Sequence, residues 1–262
     1  MANSPSLKWD PISIARTRFS RNQNLLTVFT GGTGSGKSLS ALEFARLIDP
    51  TFSADQVVFT VKEFMSLLKI LKPGQVILFD EAGVDLDARR SSSKRNVFFS
   101  NIMKTFRYLQ IPTIFTLPNL AMLDKNARRL FHVWVKTRDI DYKKGICWTS
   151  FYLISAEDDW NDTVNRALPR VHDAITHEKR KIVRVGFRKP PQDLLEAYEA
   201  KKNAYVIEML NDMEKNLLDV EESEKPKGGG FRGRSKKTEA EDRGGYEPSL
   251  LGPTRNSPEK YL

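Results

Sequence analysis

The sequence predicts an α/β fold of three layers, in which helices cover both faces of a mainly parallel sheet. Short apolar runs rich in β-branched and aromatic residues alternate with longer segments whose apolar residues recur at helical spacing. A glycine-rich stretch, residues 31–36, also lies directly between the first apolar run and the first helical segment. Alternating strands and helices form βαβ units, which place their strands in parallel and their helices on both faces of the sheet.

The expected elements follow a basic lead-in over residues 1–22. Apolar runs predict strands at residues 25–29, 56–60, 76–79, 113–117, 131–135 and 146–154. Helical spacing predicts helices at residues 38–48, 62–71, 96–109 and 123–130. The last strand is expected at an edge of the sheet, where it can run antiparallel. Together these elements define a core over residues 23–157.

The chain beyond the core divides into two further segments. Residues 158–220 form a C-terminal extension, in which 158–190 is polar and irregular and 191–220 has the apolar spacing of a long amphipathic helix. This helix can pack on the core or on another subunit, and the core is the simpler expectation. Residues 221–262 are rich in Gly, Arg, Lys and Glu and poor in apolar side chains, which predicts a disordered tail.

Composition fits a soluble globular protein: of 262 residues, 40% are hydrophobic and 29% are charged. No apolar run approaches the roughly 18 residues that would cross a bilayer, and the N-terminus lacks the pattern of a secretory signal. The single cysteine, Cys147, excludes an internal disulfide and a cysteine-based zinc site. We therefore expect a cytoplasmic protein without a membrane span, in which Cys147 is buried and inert.

The glycine-rich stretch matches the pattern G-x-x-x-x-G-K-[ST], and its residues are Gly31, Gly32, Thr33, Gly34, Ser35, Gly36, Lys37 and Ser38. Glycines allow backbone N–H groups to turn towards phosphate oxygens, and the following helix start adds its partial positive charge. Lys37 can reach the outer phosphates of a nucleotide, and the Ser38 hydroxyl can bind Mg²⁺. The motif therefore predicts a site for a nucleoside triphosphate.

An acidic pair, Asp80 and Glu81, follows the apolar strand at residues 76–79. A carboxylate at the end of a buried strand beside a phosphate loop can hold Mg²⁺, and this role is assigned to Asp80 together with Ser38. Glu81 would orient or deprotonate the attacking water. The chain has no guanine-selecting Asn-Lys-x-Asp motif, so ATP is expected rather than GTP.

Two further sets of candidate residues would complete the site. Thr116, at the end of the strand at 113–117, is the first candidate for a residue that senses the γ-phosphate, and Asn119 is the second. Phosphoryl transfer in ring-shaped ATPases often needs an arginine from a neighbouring subunit. We prefer Arg128 or Arg129 for this role from the full set of candidates, which is Arg89, Arg90, Arg107, Arg128 and Arg129.

The net charge of +9 is concentrated in two clusters of basic residues. The first contains Arg89, Arg90, Lys94, Arg95, Lys104 and Arg107 and has no acidic residue. The second contains Arg166, Arg170, Lys179, Arg180, Lys181, Arg184, Arg188 and Lys189. In a nucleotide-binding protein such clusters favour a phosphate-backbone partner, and we expect DNA. His132, His172 and His177 have no spacing that indicates a metal site.

With these motifs, residues 23–140 resemble the additional-strand, catalytic-glutamate (ASCE) division of P-loop ATPases. More narrowly, they resemble the FtsK/HerA-type DNA-pumping group and the related zonula occludens toxin (Zot)-like assembly ATPases of filamentous phages. The resemblance rests on residues 31–38, 76–81 and 106–116. It implies a three-layer, RecA-like P-loop NTPase core, Mg²⁺ and ATP as cofactors, a homo-oligomeric ring and double-stranded rather than single-stranded DNA as partner.

The chain departs from this group at one motif position and in one segment. Leu117 stands where FtsK/HerA-type proteins usually have a glutamine, and the transmembrane segment of phage Zot proteins has no counterpart. These features favour a soluble ATPase of viral genome packaging, which would act in the host cytoplasm, or of a plasmid. Two alternatives stay open: an ATP-dependent switch that acts on a protein partner, such as a helicase loader or partitioning ATPase, and a non-motor P-loop kinase.

Overall fold

The structure is a computed structural model that describes residues 10–81, 106–123, 125–155, 165–172 and 179–224. The chain divides into two compact units, Met1–Met213 and Glu214–Leu262, and only the end of one helix is described in the second unit. The described helices are α1 Ser13–Phe19, α2 Lys37–Ile48, α3 Val61–Leu68, α4 Lys125–Arg128 and α5 Gln192–Glu224. Short 3-10 helices lie at Ala54–Gln56, Phe106–Leu109 and Leu120–Met122.

The described strands form one large sheet and one separate hairpin. Their bounds are β1 Leu26–Thr30, β2 Val57–Val58, β3 Ile77–Phe79, β4 Thr113–Leu117, β5 Val133–Asp141, β6 Ile146–Ser155, β7 Asn165–Ala167, β8 Arg170–His172, β9 Lys179–Lys181 and β10 Val185–Arg188. The large sheet has the order β10-β6-β5-β1-β4-β3-β2, with β7 also paired to β6, and the hairpin is β8-β9. Neighbours from β5 to β2 are parallel, so the prediction of a mainly parallel sheet is confirmed.

Strand β6 is antiparallel to β5, but the prediction that it lies at an edge is wrong. Strands β10 and β7 pair with its other side. Both come from the segment at 158–190, which was expected to be irregular. Strand β10 has only two inward side chains, Val185 and Phe187, alternating with exposed residues. A pattern this short is too weak to predict a strand from the sequence.

Two apolar layers lie on opposite faces of the sheet, which confirms the three-layer arrangement. On one face, Phe29 of β1 packs with Phe44 of α2 and Phe187 of β10, at ring-centroid distances of 5.8 and 5.9 Å. On the other face, Phe64 of α3 packs with Phe79 and Phe115. Because both faces are covered, every residue of β1 is buried.

Capping explains why β2 and α3 have different bounds from those expected. Gln56 was predicted to begin the strand, but its side chain closes a capping box with Ser53 around the 3-10 helix before β2. Thr60 was predicted to end the strand, and instead it caps α3 in a second box with Glu63. The expected helix at 123–130 is shorter than predicted, because α4 covers only Lys125–Arg128, and a separate 3-10 helix at Leu120–Met122 comes before it.

Several predictions lie wholly or partly outside the described residues. The helix at 96–109 is described only at Phe106–Leu109, where it is a 3-10 helix. Most of the first basic cluster and the tail from residue 225 onwards are not described.

Helix α5 packs on the core through its first turns, as expected. Leu194, Leu195 and Tyr198 are buried there, and Tyr205 stacks on Phe59 at a centroid distance of 4.7 Å. Further along, several of its apolar side chains are exposed to solvent, namely Ile207, Leu210, Met213 and Leu217. Among the described residues no helix combines the length and the apolar character that a membrane span requires.

Candidate active site

The candidate site lies where strands β1, β3 and β4 end. Because these strands are parallel, their carboxyl ends meet at one edge of the sheet, beside the start of α2. They open into a cleft of about 1190 Å³. Its lining includes the phosphate-loop residues Thr33 to Ser38, the acidic residue Glu81, and two side chains of α5, Tyr198 and Lys202.

Two glycines of the phosphate loop are required by its geometry. Gly36 has a φ of +81°, and a Cβ there would lie 3.0 Å from the Cys147 Sγ. A Cβ on Gly31 would overlap the Thr137 hydroxyl of β5. That hydroxyl donates a hydrogen bond to the Ser35 Oγ at 2.8 Å and so connects the loop to β5. Thr137 was not predicted, because nothing local marks it.

The N-terminus of α2 is built differently from that of α3. Gly36 caps α2 without a side-chain hydrogen bond, and its first turn has no acidic residue. Helix α3, in contrast, is closed by Thr60 and Glu63. Backbone N–H groups that receive no side-chain oxygen are suited to an anionic ligand. The residues at the start of α2 therefore fit the phosphates of a nucleotide.

Lys37 lies across the loop that precedes it. Its Nζ donates a hydrogen bond to the Gly32 carbonyl oxygen at 2.7 Å. Desolvation lowers the pKa of Lys37, although the nearby carboxylates of Asp80 and Glu81 oppose this shift. The ammonium group is therefore held at the mouth of the loop, within the field of the acidic pair.

Asp80 is fully buried and accepts hydrogen bonds on both carboxylate oxygens. Its Oδ1 accepts from the Ser38 hydroxyl at 2.8 Å and from the Thr116 hydroxyl at 2.6 Å. Its Oδ2 accepts from the Tyr198 hydroxyl at 2.6 Å and from the Lys202 ammonium at 3.3 Å. Asp80 thus joins the phosphate loop, the end of β4 and helix α5.

Glu81 lies next to Asp80 in an unusual backbone conformation. Its φ is +53°, a region that non-glycine residues rarely occupy and that often marks functional sites. The Thr116 hydroxyl accepts a hydrogen bond from the Glu81 N–H at 2.9 Å and so fixes this turn. The Glu81 carboxylate is partly exposed and lies 2.7 Å from the Lys202 Nζ.

Tyr198 and Lys202 are site residues that the sequence analysis missed. Tyr198 belongs to the apolar spacing that predicts this helix, and no motif in the sequence includes Lys202. They are four residues apart and so share one face of α5. The sequence contained one signal for Lys202. Its spacing places this lysine on the same helix face as Leu194, Leu195 and Tyr198, which was predicted to be buried. Only the fold shows what this lysine contacts.

The surroundings of the two α5 side chains change their acidity. Burial and the Asp80 carboxylate raise the pKa of the Tyr198 hydroxyl above its ordinary value. Desolvation lowers the pKa of Lys202, but the attraction of Asp80 and the hydrogen bond to Glu81 outweigh it and raise the pKa overall. Tyr198 is therefore a neutral donor and Lys202 a full cation at neutral pH.

The remaining candidates have structural contacts of their own. Asn119 caps the 3-10 helix that follows, since its Oδ1 accepts from the Ala121 N–H. Arg128 donates from Nε to the Leu123 carbonyl oxygen. Arg128 and Arg129 precede β5 and so lie near the amino ends of the parallel strands, whereas the phosphate loop lies at their carboxyl ends. Arg89 and Arg90 lie outside the described residues, as does the side chain of Arg107. Roles as sensor or arginine finger stay predictions.

Two other residues of interest have internal roles. Cys147 is buried, its thiol lies 3.4 Å from the Ser35 carbonyl oxygen, and burial raises its pKa. The expectation of a buried, unreactive thiol agrees with this environment. His132 accepts a hydrogen bond from the Leu26 N–H at Nδ1, and Arg18 lies 2.8 Å from its Nε2. This histidine therefore joins α1 to β1.

No family model and no curated protein matches this chain. Several solved structures are similar. The N-terminal domain of zonular occludens toxin from Neisseria meningitidis has 21% identity and a TM-score of 0.36, over 55% of this chain and 94% of its own. Genome packaging NTPase B204 from Sulfolobus turreted icosahedral virus 2, in complex with ATP-gammaS, has 10% identity and a TM-score of 0.36, over 56% and 97%.

A third similar structure contains ATPases 2 and 3 of EssC from Geobacillus thermodenitrificans, with 11% identity and a TM-score of 0.31, over 54% of this chain and 42% of its own. The fold itself is defined by the strand order of this chain. Strand β4 lies between β1, which leads into the phosphate loop, and β3, which leads into Asp80 and Glu81. It is the additional strand for which one division of P-loop proteins is named. The chain therefore has the fold of the additional-strand P-loop ATPases, with the phosphate loop and the acidic pair at one sheet edge.

Proposed function

We propose that this chain is a Mg²⁺-dependent ATPase that works as a ring of identical subunits and uses ATP hydrolysis to move double-stranded DNA. The ATPase part rests on one observation above all. The Ser38 hydroxyl lies 2.8 Å from the buried Asp80 carboxylate, and Glu81, the next residue, lines the adjoining cleft. This is the set of oxygen donors that a Mg²⁺·nucleotide complex requires.

Each residue has a role in this proposal. The amides of residues 32–38 and the Lys37 ammonium bind the phosphates, and Ser38 with Asp80 holds the metal. Mg²⁺, when bound, neutralises the charge on the outer phosphate oxygens. Glu81 orients the attacking water and accepts its proton. Thr116 fixes the turn that presents Glu81, through the hydrogen bond from the Glu81 N–H.

The hydrolysis proposal is tested with a charge-neutral variant of the base. We expect Glu81→Gln to lower the ATP turnover rate by about a hundredfold or more while ATP binding is retained. Glu199→Gln is the matched control, because Glu199 is exposed and lines the same cleft. Its turnover should stay within about twofold of the wild type. Equal turnover for Glu81→Gln and the wild type would refute the assigned role.

The DNA part of the proposal is supported by surface charge. All eight basic residues of the second cluster are exposed, and two of them, Arg188 and Lys189, line the cleft. Exposed cations suit a phosphate backbone. Long double-stranded DNA should raise the ATP turnover rate, and DNA affinity should fall steeply with salt. A turnover rate that DNA does not change, with no DNA binding at low salt, would rule out the motor.

A second candidate function, a nucleotide switch that acts on a protein, is favoured by helix α5. Ile207, Leu210 and Met213 leave 60%, 56% and 50% of their surface exposed on one stretch of this helix. Exposed apolar side chains of this kind favour contact with another protein. Native mass with a non-hydrolysable ATP analogue separates the two functions. A closed ring favours the motor, and a stable monomer favours the switch.

A further inference from the structure

Helix α5 places a cation on both carboxylates of the acidic pair. The Lys202 Nζ lies 2.7 Å from the Glu81 Oε1, 3.3 Å from the Asp80 Oδ2 and 3.2 Å from the Tyr198 hydroxyl. The Lys202 side chain is 27% exposed and Asp80 is 0% exposed, so the contact is largely shielded from water. Nothing in the assigned ATPase roles uses this ammonium group.

The hydrogen bonds of Asp80 leave no acceptor position for a further partner. An ionised carboxylate has about four lone-pair positions. Four donors already occupy them, from Ser38, Thr116, Tyr198 and Lys202. A Mg²⁺ held by Ser38 and Asp80, directly or through its water, therefore requires one of these donors to leave.

Lys202 is the donor that is most readily displaced. Ser38 belongs to the metal-binding set itself, and Thr116 is also fixed by the Glu81 N–H. The Tyr198 hydroxyl is neutral and lies at 2.6 Å, whereas the Lys202 contact is the longest of the four at 3.3 Å. Lys202 also has the same sign of charge as the metal, so the two cations oppose each other at one carboxylate.

We propose that Lys202 is a positioning residue that holds Asp80 and Glu81 together and leaves them when Mg²⁺ binds with the nucleotide. The proposal rests on the Mg²⁺-dependent nucleotide site argued above. Its consequence is that the Glu81 carboxylate is freed from its ion pair only in the Mg²⁺·nucleotide complex. Helix α5 thereby responds to the occupancy of the site through one side chain.

The adjacent lysine provides a matched control on the same helix. The Lys201 Nζ donates to the carbonyl oxygens of Ala54, Asp55 and Val57 and contacts neither carboxylate of the acidic pair. It anchors α5 next to β2, close to the stacked pair of Tyr205 and Phe59. Removing its charge tests the attachment of the helix without changing the charge beside Asp80.

The test is a Mg²⁺ titration of the binding of a fluorescent, non-hydrolysable ATP analogue. In Lys202→Met, which keeps most of the side-chain length, the apparent Mg²⁺ dissociation constant should fall by about tenfold or more, since a competing charge beside a buried carboxylate is lost. Lys202→Arg should stay within about threefold of the wild type, and Lys201→Met should not change the constant. An unchanged constant in Lys202→Met overturns the proposal.

A second measurement uses the unaltered protein and does not depend on any variant folding. Acetylation of individual lysines is followed by peptide mass spectrometry with the analogue bound, before and after Mg²⁺ is added. Lys202 should react several-fold faster with Mg²⁺, while Lys201 keeps its rate. Equal rates for Lys202 overturn the proposal.

The outcomes also separate this proposal from the proposed function. A wild type that binds the analogue with Mg²⁺ but does not hydrolyse ATP refutes the ATPase and leaves the Lys202 comparison valid. A wild type that hydrolyses ATP, with no effect of Lys202→Met on the Mg²⁺ constant, refutes only the role of Lys202. A wild type that binds no nucleotide refutes both.

Discussion

Single residues at this site act through partners that are distant in the sequence. Thr116 is an example, since its hydroxyl joins the two acidic residues: it donates to the Asp80 Oδ1 and accepts from the Glu81 N–H. It was predicted as a sensor of the γ-phosphate. Its contacts support a different description, in which it sets the backbone of the proposed base, and a sensing role stays a prediction.

The role of Thr116 can be tested with an isosteric change. Thr116→Val leaves the Glu81 N–H and one Asp80 position without a partner, so the free energy of unfolding should fall by about 1–3 kcal/mol. ATP turnover should fall by about tenfold or more, because Glu81 is no longer fixed. Urea unfolding and a phosphate-release assay measure both effects.

Thr27→Val is the control for this change. Thr27 is equally buried on β1, but its hydroxyl has no hydrogen-bond partner within the described part of the chain. Removing an unsatisfied buried hydroxyl should leave stability unchanged or raise it slightly. If the free energy of unfolding falls equally in both variants, the Thr116 hydrogen bonds do not stabilise the fold.

Gly36 is one of the two phosphate-loop glycines that the fold requires. Gly36→Ala places a Cβ at positive φ and 3.0 Å from the Cys147 Sγ. We expect the free energy of unfolding to fall by about 2 kcal/mol or more, with weaker nucleotide binding. Gly74→Ala, at a φ of +89° but in open space, should show only the backbone cost of about 1 kcal/mol. Thermal melting and nucleotide titration are measured for both variants. The Gly74 variant reports the backbone cost of positive φ alone, and any larger effect of the Gly36 variant reports the close contact with Cys147.

At the scale of elements, the C-terminus of α2 is tied to the strand before the acidic pair by one buried carboxylate. The Asp49 Oδ1 accepts from the backbone N–H and the hydroxyl of Thr51. Its Oδ2 accepts from the Gln56 side chain at 2.9 Å and from the Val76 N–H at 3.1 Å. Asp49 thereby fixes where β3 begins relative to α2, and so where Asp80 lies relative to the phosphate loop.

Asp49 gives a prediction with a defined pH dependence. Burial raises the pKa of this carboxyl, but its hydrogen bonds to Thr51, Gln56 and Val76 outweigh burial and lower the pKa below its ordinary value. The stabilisation is therefore fully present above the unfolded pKa and is lost as the pH falls through the lower folded pKa. At pH 7, Asp49→Asn should cost about 1–3 kcal/mol, because an amide cannot accept all four bonds.

The difference between wild type and Asp49→Asn should shrink when urea unfolding is repeated near pH 3. Asp212→Asn, an exposed carboxylate on α5, should cost little at either pH. A cost for Asp49→Asn that is the same at both pH values would show that volume or packing, and not the charged form, is responsible.

At the scale of the whole molecule, the segment after residue 157 contributes to the same core as the phosphate-loop elements. Phe187 of β10 lies 5.9 Å, centroid to centroid, from both Phe29 and Phe44, which belong to the strand and helix that flank the phosphate loop. From the described residues of the first unit, β10 and the first turns of α5 share one apolar layer with β1 and α2. The core expected over residues 23–157 therefore shares its apolar layer with residues of the C-terminal extension.

This arrangement predicts that residues 185–188 unfold together with the phosphate-loop region. Phe187→Ala should lower the free energy of unfolding by about 3–5 kcal/mol within a single transition. Val183→Ala, at a residue with 58% of its surface exposed, should change it by less than about 0.5 kcal/mol. Urea unfolding followed by tryptophan fluorescence and circular dichroism measures both. Separate transitions for the two probes would show that β10 is an independent part.

The sequence by itself determined the features that are encoded by neighbouring residues. The phosphate loop, the acidic pair after β3 and each of the central strands are contained in a few consecutive residues with a distinct pattern. Helix α2 and strand β4 lie where helical spacing and an apolar run predicted them. Local backbone conformation and the alternation of apolar side chains are enough to specify such features.

Only the tertiary structure decided which side chains surround the acidic pair. Tyr198 and Lys202 are separated from Asp80 by 118 and 122 positions in the chain, so no local pattern relates them. The same holds for Thr137 under the phosphate loop and for β10 beside β6. Contacts between distant segments arise when the sheet and its covering helices pack, because burial then selects which side chains meet.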